Sequence, residues 1–210
     1  MKLIVLIGAT GSGKDSTANF LVKHYNFIKI SFAETLKDVV ASLFGWDRYL
    51  LEGDTIESRK WREQIDPYWN KTPRKALHEI GTDLFRKHYD DTIWIKSLEY
   101  KIHKIINENK YAGIVITDCR FENELESVLN FKNKYNLNLT IHSIYIQRDN
   151  DPFWVDKVFT DQDWLSKHNI HITDWLHFKL RKSCDNIIYN NSSIEDLETK
   201  LSSFFSNLLN

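Results

Sequence analysis

Residues 3–7, Leu-Ile-Val-Leu-Ile, are apolar without a polar interruption. A half-exposed strand would alternate, so the run predicts a parallel strand buried on both faces. Ala18, Leu21, Val22 and Tyr25 recur at i, i+3, i+4 and i+7 and predict an amphipathic helix, closed by Asn26 in a left-handed cap. Residues 28–32 read as a second strand. Leu36, Val39, Val40, Leu43 and Phe44 define one face of the next helix, which Gly45 ends and whose first turn carries Lys37. Thr72 and Pro73 give an N-cap followed by a proline at the first helical position, opening a helix through Leu77, Ile80 and Leu84. Asp91 or Thr92 opens another, with Ile95, Leu98, Ile102, Ile105 and Ile106 on its apolar face as far as Asn109. Strands follow at 114–116, 141–146 and Asn186–Tyr189, and a helix carrying Leu125, Val128 and Leu129 joins the first two. Ser192 and Glu195 read as the capping box of a last helix whose core face is Ile194, Leu197, Leu201, Phe204 and Phe205.

Strands and helices therefore alternate, the signature of an α/β fold with a five-stranded parallel sheet. Two stretches lack a period. Residues 46–71 set Trp46, Trp61 and Trp69 beside Arg48, Arg59 and Arg62, and read as a small core rather than a surface that stacks a nucleobase. Residues 149–183 hold Trp154, Trp164 and Trp175 among Lys157, Lys167, Lys179, Arg181 and Lys182, and read as an irregular, lid-like segment. At 210 residues, one domain with an inserted region is favoured over two independent domains.

Charge narrows the function classes. With 28 basic and 29 acidic residues the net charge is −1, so no global field recruits nucleic acid or an anionic membrane. Neither is expected as a partner. Cys119 and Cys184 lie far apart with no C-x-x-C spacing, which argues against a disulfide framework or a zinc site. Only Lys2 precedes the first apolar run, so no signal peptide or transmembrane span is expected and the chain is predicted to be cytoplasmic.

Chemistry gathers where the first strand ends. Gly8, Gly13 and Lys14 satisfy G-x-x-x-x-G-K between a predicted strand and a predicted helix. Glycine lets successive backbone N–H groups converge on an anion, and the helix presents its positive dipole end to the same place. Asp15 stands where a hydroxyl residue is usual, with Ser16 and Thr17 behind it. It either reaches Mg²⁺, directly or through water, or complements the helix dipole. The third strand ends in Thr117, Asp118, Cys119 and Arg120, and ligands gather at the carboxyl ends of parallel strands. Asp118 is placed to hold Mg²⁺ or its water, Arg120 to neutralise a transferred phosphate, and Arg148 closes the fourth strand. Lys37 either points at an anion or is solvated. Arg74, His78 and Arg86, four and eight residues apart, are either a phosphate-facing row or a solvated face.

Taken in order, GATGSGKDST, SFAETLKD, TPRKALHEIGTDLFR, TIWIKSL, VITDCRFENEL, IHITD and DNIIYNNSSIEDL resemble the phage and viral deoxynucleoside monophosphate kinases, a branch of the P-loop nucleotide kinases. The resemblance spans nearly the whole chain. It implies a three-layer P-loop kinase fold over residues 1–210, with residues 33–112 an inserted helical monophosphate-binding region and 149–183 a lid. It implies ATP as donor, Mg²⁺ as cofactor and a deoxynucleoside 5′-monophosphate as acceptor. On the donor side it implies Gly11, Ser12, Gly13, Lys14, Asp15, Ser16 and Thr17 around the phosphates, with Asn190 near the adenine edge and Asp15, Ser16 and Asp118 as metal positions. On the acceptor side it implies Lys37, Arg74 and Arg86 facing the monophosphate, and Gly81, Thr82 and Asp83 shaping its pocket. Thr10, His78, Trp94, Glu124, His171 and Thr173 complete that side, with Arg120 between the substrates. Catalytic roles fall to Lys14, Asp118, Arg120 and Arg148, and closure of the two inserted segments is expected to exclude water. Relatives can carry basic residues at Thr10 and Gly11, and more often glutamine at His78, so base preference is not transferred. A phosphomevalonate or dephospho-coenzyme A kinase, and an ATP-binding switch without turnover, are the alternatives; a homodimer is left open.

Overall fold

The computed structural model describes residues 1–168, 170 and 172–209. The chain opens with β1 (Lys2–Ile7), α1 (Lys14–Tyr25), β2 (Phe27–Ile30) and α2 (Ala33–Phe44). It continues with α3 (Ile56–Arg62), α4 (Pro73–His78), a wide-turned π segment (Glu79–Tyr89) and α5 (Ile93–Glu108). Then come β3 (Gly113–Ile116), α6 (Glu122–Lys134), β4 (Thr140–Gln147), α7 (Lys157–Thr160), α8 (Gln162–Lys167) and α9 (Ile172–Leu180). A 3₁₀ turn (Arg181–Ser183), β5 (Asn186–Tyr189) and α10 (Ile194–Leu209) complete it. Two compact units result: Met1–Ser31 with Ile102–Asn210, and Phe32–Lys101.

The first unit holds all five strands in one parallel sheet, ordered β2-β3-β1-β4-β5. Residues 3–7 are fully buried. At about 2 kcal/mol for each such side chain, this run outweighs the roughly 1 kcal/mol that each glycine of the following loop costs in backbone entropy. Ile4 and Leu6 pack in one cluster with Ala18 and Leu21 of α1 and with Leu197, Leu201 and Phe205 of α10. Because β1 is central, its carboxyl end has a neighbour on each side: Val5 is level with Ile116 of β3, and Ile7 with Tyr145 of β4.

Several local expectations shift. Val22 is 42% exposed, because it lies about 100° round the helix from the buried Leu21. The second strand stops at Ile30, and Phe32 is the N-cap of α2. That start puts Lys37 beyond the first turn of α2. Leu43 is exposed, while Leu36 and Val40 are buried. Asn26 (φ 54°) and Gly45 (φ 69°) adopt the left-handed caps expected of them. In α10 the N-cap is Ser193 rather than Ser192: Leu197 N–H bonds Ser193 O at 3.1 Å and Asp196 N–H bonds Ser193 Oγ at 3.2 Å. Ile194, the first helical residue, is half exposed instead of in the core. Residues 149–183 are not irregular: they fold as α7, α8 and α9 around Val158, Leu165, Trp175 and Phe178.

The second unit is helical. Its core unites Leu36, Val40, Trp46, Leu51, Ala76, Leu77, Ile80 and Trp94, with Trp61 packed against it. The Phe44 and Trp46 rings stack 4.3 Å apart and Trp61 meets Trp46 edge-on at 5.9 Å, so these two tryptophans join the core as expected, whereas Trp69 is 40% exposed. Thr72 caps α4, its Oγ1 accepting the Lys75 N–H at 3.1 Å, with Pro73 next. The π segment then widens the turn from an i→i+4 to an i→i+5 pattern. That change of phase leaves Leu84 exposed, and the three cations expected to share a face differ in burial: Arg86 is buried, His78 half-buried and the Arg74 side chain 41% exposed. Thr92 accepts the first bond of α5, from Lys96 N–H at 2.9 Å, and Asn109 (φ 49°) follows its last turn.

Candidate active site

In the first unit the chain turns sharply where β1 ends. Gly8 (φ 146°) and Gly13 (φ 107°) are confined to glycine twice over, by backbone angle and by space. A Cβ on Gly8 would overlap the Ile146 carbonyl oxygen, and one on Gly13 would lie 2.5 Å from Asn190 Nδ2. Gly13 caps α1 without a side-chain hydrogen bond, which leaves the first N–H groups of the helix directed at the loop. Lys14 folds over that loop, donating to Gly8 O at 2.9 Å and Ala9 O at 2.6 Å. Thr17 is buried and donates to Gly13 O at 2.9 Å, while Ser16 is half-buried and Thr10 and Gly11 are exposed. Ser12 is buried with its Oγ lacking a partner among the described residues. Its carbonyl accepts Asn190 Nδ2 at 2.9 Å. Asn190 thus braces the loop through its side chain. Asp15 is mostly exposed and pairs with Lys29 of β2 at 2.7 Å.

Asp118 and Arg120 follow β3 on one flank of this loop, and Arg148 follows β4 on the other. Glu124 is buried in the first turn of α6, and its Oε2 accepts the N–H of Arg120 at 2.8 Å and of Phe121 at 3.1 Å. It holds the turn that carries Arg120 through the backbone. Arg148 is exposed. Burial chiefly, and the Arg120 charge next, lower the Lys14 pKa from 10.5 to about 8, against the opposing pull of Asp15 and Asp118. Phosphate binding reverses the sign of that environment, since an anion favours the ammonium form. Above about pH 8 a phosphate anion seated on this loop would require the free protein to take up a proton, and such binding should weaken up to tenfold per pH unit. Calorimetry in buffers of differing ionisation enthalpy should read that uptake at pH 9 and lose it in Lys14→Met.

The second unit places the other predicted residues. Lys37 is bonded to Glu52 Oε2 at 2.5 Å, and Arg74 to Glu63 at 2.9 Å. His78, half-buried, ends α4. Gly81 is buried where a Cβ would meet Leu36 at 2.5 Å, and its carbonyl accepts the buried Trp94 indole N–H at 3.0 Å. Gly81 and Trp94 thus fix the π segment against its neighbours in this unit. Thr82 is half-buried, and Asp83 is exposed and paired with Lys87 at 2.6 Å. Arg86 is buried, donating to Asp91 O at 3.3 Å and facing its carboxylate at 3.5 Å. His171 lies outside the described residues, as does the side chain of Thr173.

Lys29 and Glu52 escaped the sequence reading, whereas Arg48 and Asn190 appear there without the partners they take. Lys29 looked like a strand residue, and only the fold brings it to Asp15. Arg48 and Glu52 sit in the stretch without a period, where their i,i+4 spacing was the one local signal. Asn190 was noticed without its link to Ser12.

No family model matches the chain. It is 34% identical over 137 residues to a protein of Acanthamoeba polyphaga mimivirus assigned as a deoxynucleotide monophosphate kinase, a match spanning 61% of this chain and 68% of that one. It is 44% identical over 67 residues to the deoxynucleotide monophosphate kinase of Enterobacteria phage T4, covering 31% of this chain and 27% of the phage protein. Among solved structures, the dephospho-CoA kinase of Campylobacter jejuni aligns over 99% of this chain and 98% of its own, with a TM-score of 0.51 and 18% identity. That last likeness shows the fold, a P-loop kinase α/β fold. Together with the glycine loop and its lysine at the centre of a parallel sheet, the mimivirus match shows that this chain belongs to the deoxynucleotide monophosphate kinase family.

Proposed function

We propose that the protein transfers the γ-phosphate of ATP to a deoxynucleoside 5′-monophosphate, giving the diphosphate and ADP. The observation that carries this reading is the glycine loop from Gly8 to Gly13, with Lys14 folded over it at the carboxyl end of the central strand, in a chain of this family. A lysine whose charge is disfavoured in the free protein is matched to an anion that arrives with the substrate.

In this reading the loop N–H groups and Lys14 hold the β- and γ-phosphates. Asp118 and Ser16 supply hard oxygens of the kind Mg²⁺ takes, and Asp15, turned to Lys29, is within the same first turn of α1. When bound, Mg²⁺ would neutralise charge on the β and γ oxygens. The acceptor phosphate is already an anionic nucleophile, so no strong general base is required. Arg120 is the first choice to neutralise the charge that develops on the transferred group, and Arg148 the second. Lys37, Arg74 and Arg86 in the inserted region serve the acceptor. Catalysis is then positioning plus charge stabilisation. Among the described residues no helix is long and apolar enough to cross a membrane, and the proposed substrates are small water-soluble nucleotides.

The test is a coupled ADP-release assay with Mg-ATP against deoxynucleoside and nucleoside monophosphates, phosphomevalonate and dephospho-coenzyme A. One or more deoxynucleotides should raise ADP release well above the rate without acceptor. Stimulation by phosphomevalonate or dephospho-coenzyme A alone would replace this reading with another small-acceptor kinase, and no stimulation at all with intact ATP binding would overturn it.

A further inference from the structure

Glu52 holds two cations at once. Lys37 Nζ bonds its Oε2 at 2.5 Å, and Arg48 NH1 bonds its Oε1. Lys37 is an acceptor-side residue of the proposed reaction; Arg48 has been given no part in it. The Lys37 side chain is only 13% exposed, so its charge needs a partner, whereas the Glu52 and Arg48 side chains are 36% and 27% exposed and within reach of solvent.

Arg48 does not depend on Glu52 alone. Arg48 is anchored separately, its Nε to Asp38 at 2.5 Å and its NH2 to Glu34 O at 3.5 Å, so its guanidinium stays aimed if Glu52 leaves. The turn bearing Glu52 is fixed through the backbone: its N–H reaches Tyr49 O at 3.1 Å and its carbonyl accepts Arg62 NH1 at 3.2 Å. Only the carboxylate end need swing. Burial would raise the Glu52 pKa, yet the bonds and charges of Lys37 and then Arg48 hold it below the usual carboxylate range, so it is an anion in this setting.

Two cations on the two oxygens of one carboxylate reproduce what a phosphate monoester asks of a binding site: separate donors for separate oxygens, at least one of them a guanidinium. A phosphate dianion carries one more oxygen and one more charge than Glu52 and would compete well for both. We infer that Lys37 and Arg48 form a two-cation seat for the acceptor's phosphate, and that Glu52 fills this seat until the phosphate displaces it. The inference rests on the acceptor reading of Lys37 and adds Arg48 and Glu52 to it. Glu52 then keeps Lys37 paired while the site waits, at a cost in acceptor affinity that its removal should reveal.

The experiment uses the full-length protein and two readouts: KM for the deoxynucleotide best accepted in the panel, and the inhibition constant of 2′-deoxyribose 5-phosphate, which carries the phosphate without a base. Glu52→Gln should lower both about five- to tenfold, while KM for Mg-ATP stays within twofold. Arg48→Gln should raise both by tenfold or more. If Glu52→Gln raises or leaves unchanged the two acceptor constants, Glu52 is a permanent support and the inference is overturned. Lys37→Met separates the two levels of the argument. An unchanged acceptor KM in that variant removes Lys37 from the acceptor side and overturns both readings; a raised KM beside an inert Glu52→Gln overturns this one alone. Thermal unfolding and circular dichroism of each variant identify any that fail to fold, and for Glu52 the Asp variant then substitutes, expected to weaken the hold on Lys37 and lower both constants in the same direction.

Discussion

Replacing Lys14 by methionine is expected to cut ADP release on the order of a thousandfold or more while leaving the free protein no less stable at pH 7. The two effects have one cause. Lowering a lysine from 10.5 to about 8 means that the charged form is disfavoured in the free protein by about 3 kcal/mol at neutral pH. Methionine keeps the stem packed and removes the buried charge. The sign of the pH dependence follows. Between pH 8 and 10.5 the unfolded chain binds more protons than the folded one, so the wild type should gain stability as pH rises through that window, and the variant should not. Thermal unfolding at pH 7, 8, 9 and 10 beside single-turnover kinetics decides it. A variant that is both inactive and markedly destabilised at pH 7 would show that Lys14 holds the loop together rather than waiting for an anion.

This conflict between stability and function explains which parts of the molecule could be read from the chain. The centre of the sheet was legible because residues 3–7 of β1 and 114–116 of β3 are continuous apolar runs, and the helix ends because glycine and asparagine mark them by a backbone angle other residues avoid; Asn26 and Gly45 sit where that logic puts them. The loop was legible for the same reason, since Gly8 and Gly13 meet a steric demand that leaves a trace in sequence. Contacts that depend on long-range assembly left no trace: Lys29 reaches Asp15 from another element, and Asn190 reaches Ser12 across 178 positions. Leu84 is misplaced for a different reason: a period of 3.6 puts it on the core face with Leu77 and Ile80, whereas the backbone widens its turn from Glu79 on, and nothing in the side chains announces that change. Residues 46–71 and 149–183 escaped because their helices run for seven residues or fewer before the last of them, too short for a period to declare itself.

Arg120→Ala should lower kcat by about a thousandfold and, in the same protein, move the alkaline limit of ATP binding to higher pH. The first effect is that of a guanidinium removed from charge developing on a transferred phosphoryl group. The second is electrostatic, because Arg120 is the largest charge contribution lowering the Lys14 pKa, and without it the ammonium form persists further into alkali. A residue that merely packs would move neither quantity in this pairing. Arg120→Lys keeps the repulsion and should leave the pH limit near its original place, yet recover only part of kcat, since an ammonium cannot offer two parallel N–H bonds to phosphate. Glu124→Gln provides the third point. Its amide oxygen can still accept the N–H of Arg120 and of Phe121, but more weakly than the carboxylate does, so kcat should fall by about tenfold with little change in the pH limit. Measured together, these variants distinguish the charge of Arg120 from its placement. If kcat and the pH limit both survive Arg120→Ala, the transferred charge is met elsewhere, and Arg148, on the opposite flank of the loop, becomes the residue to remove next.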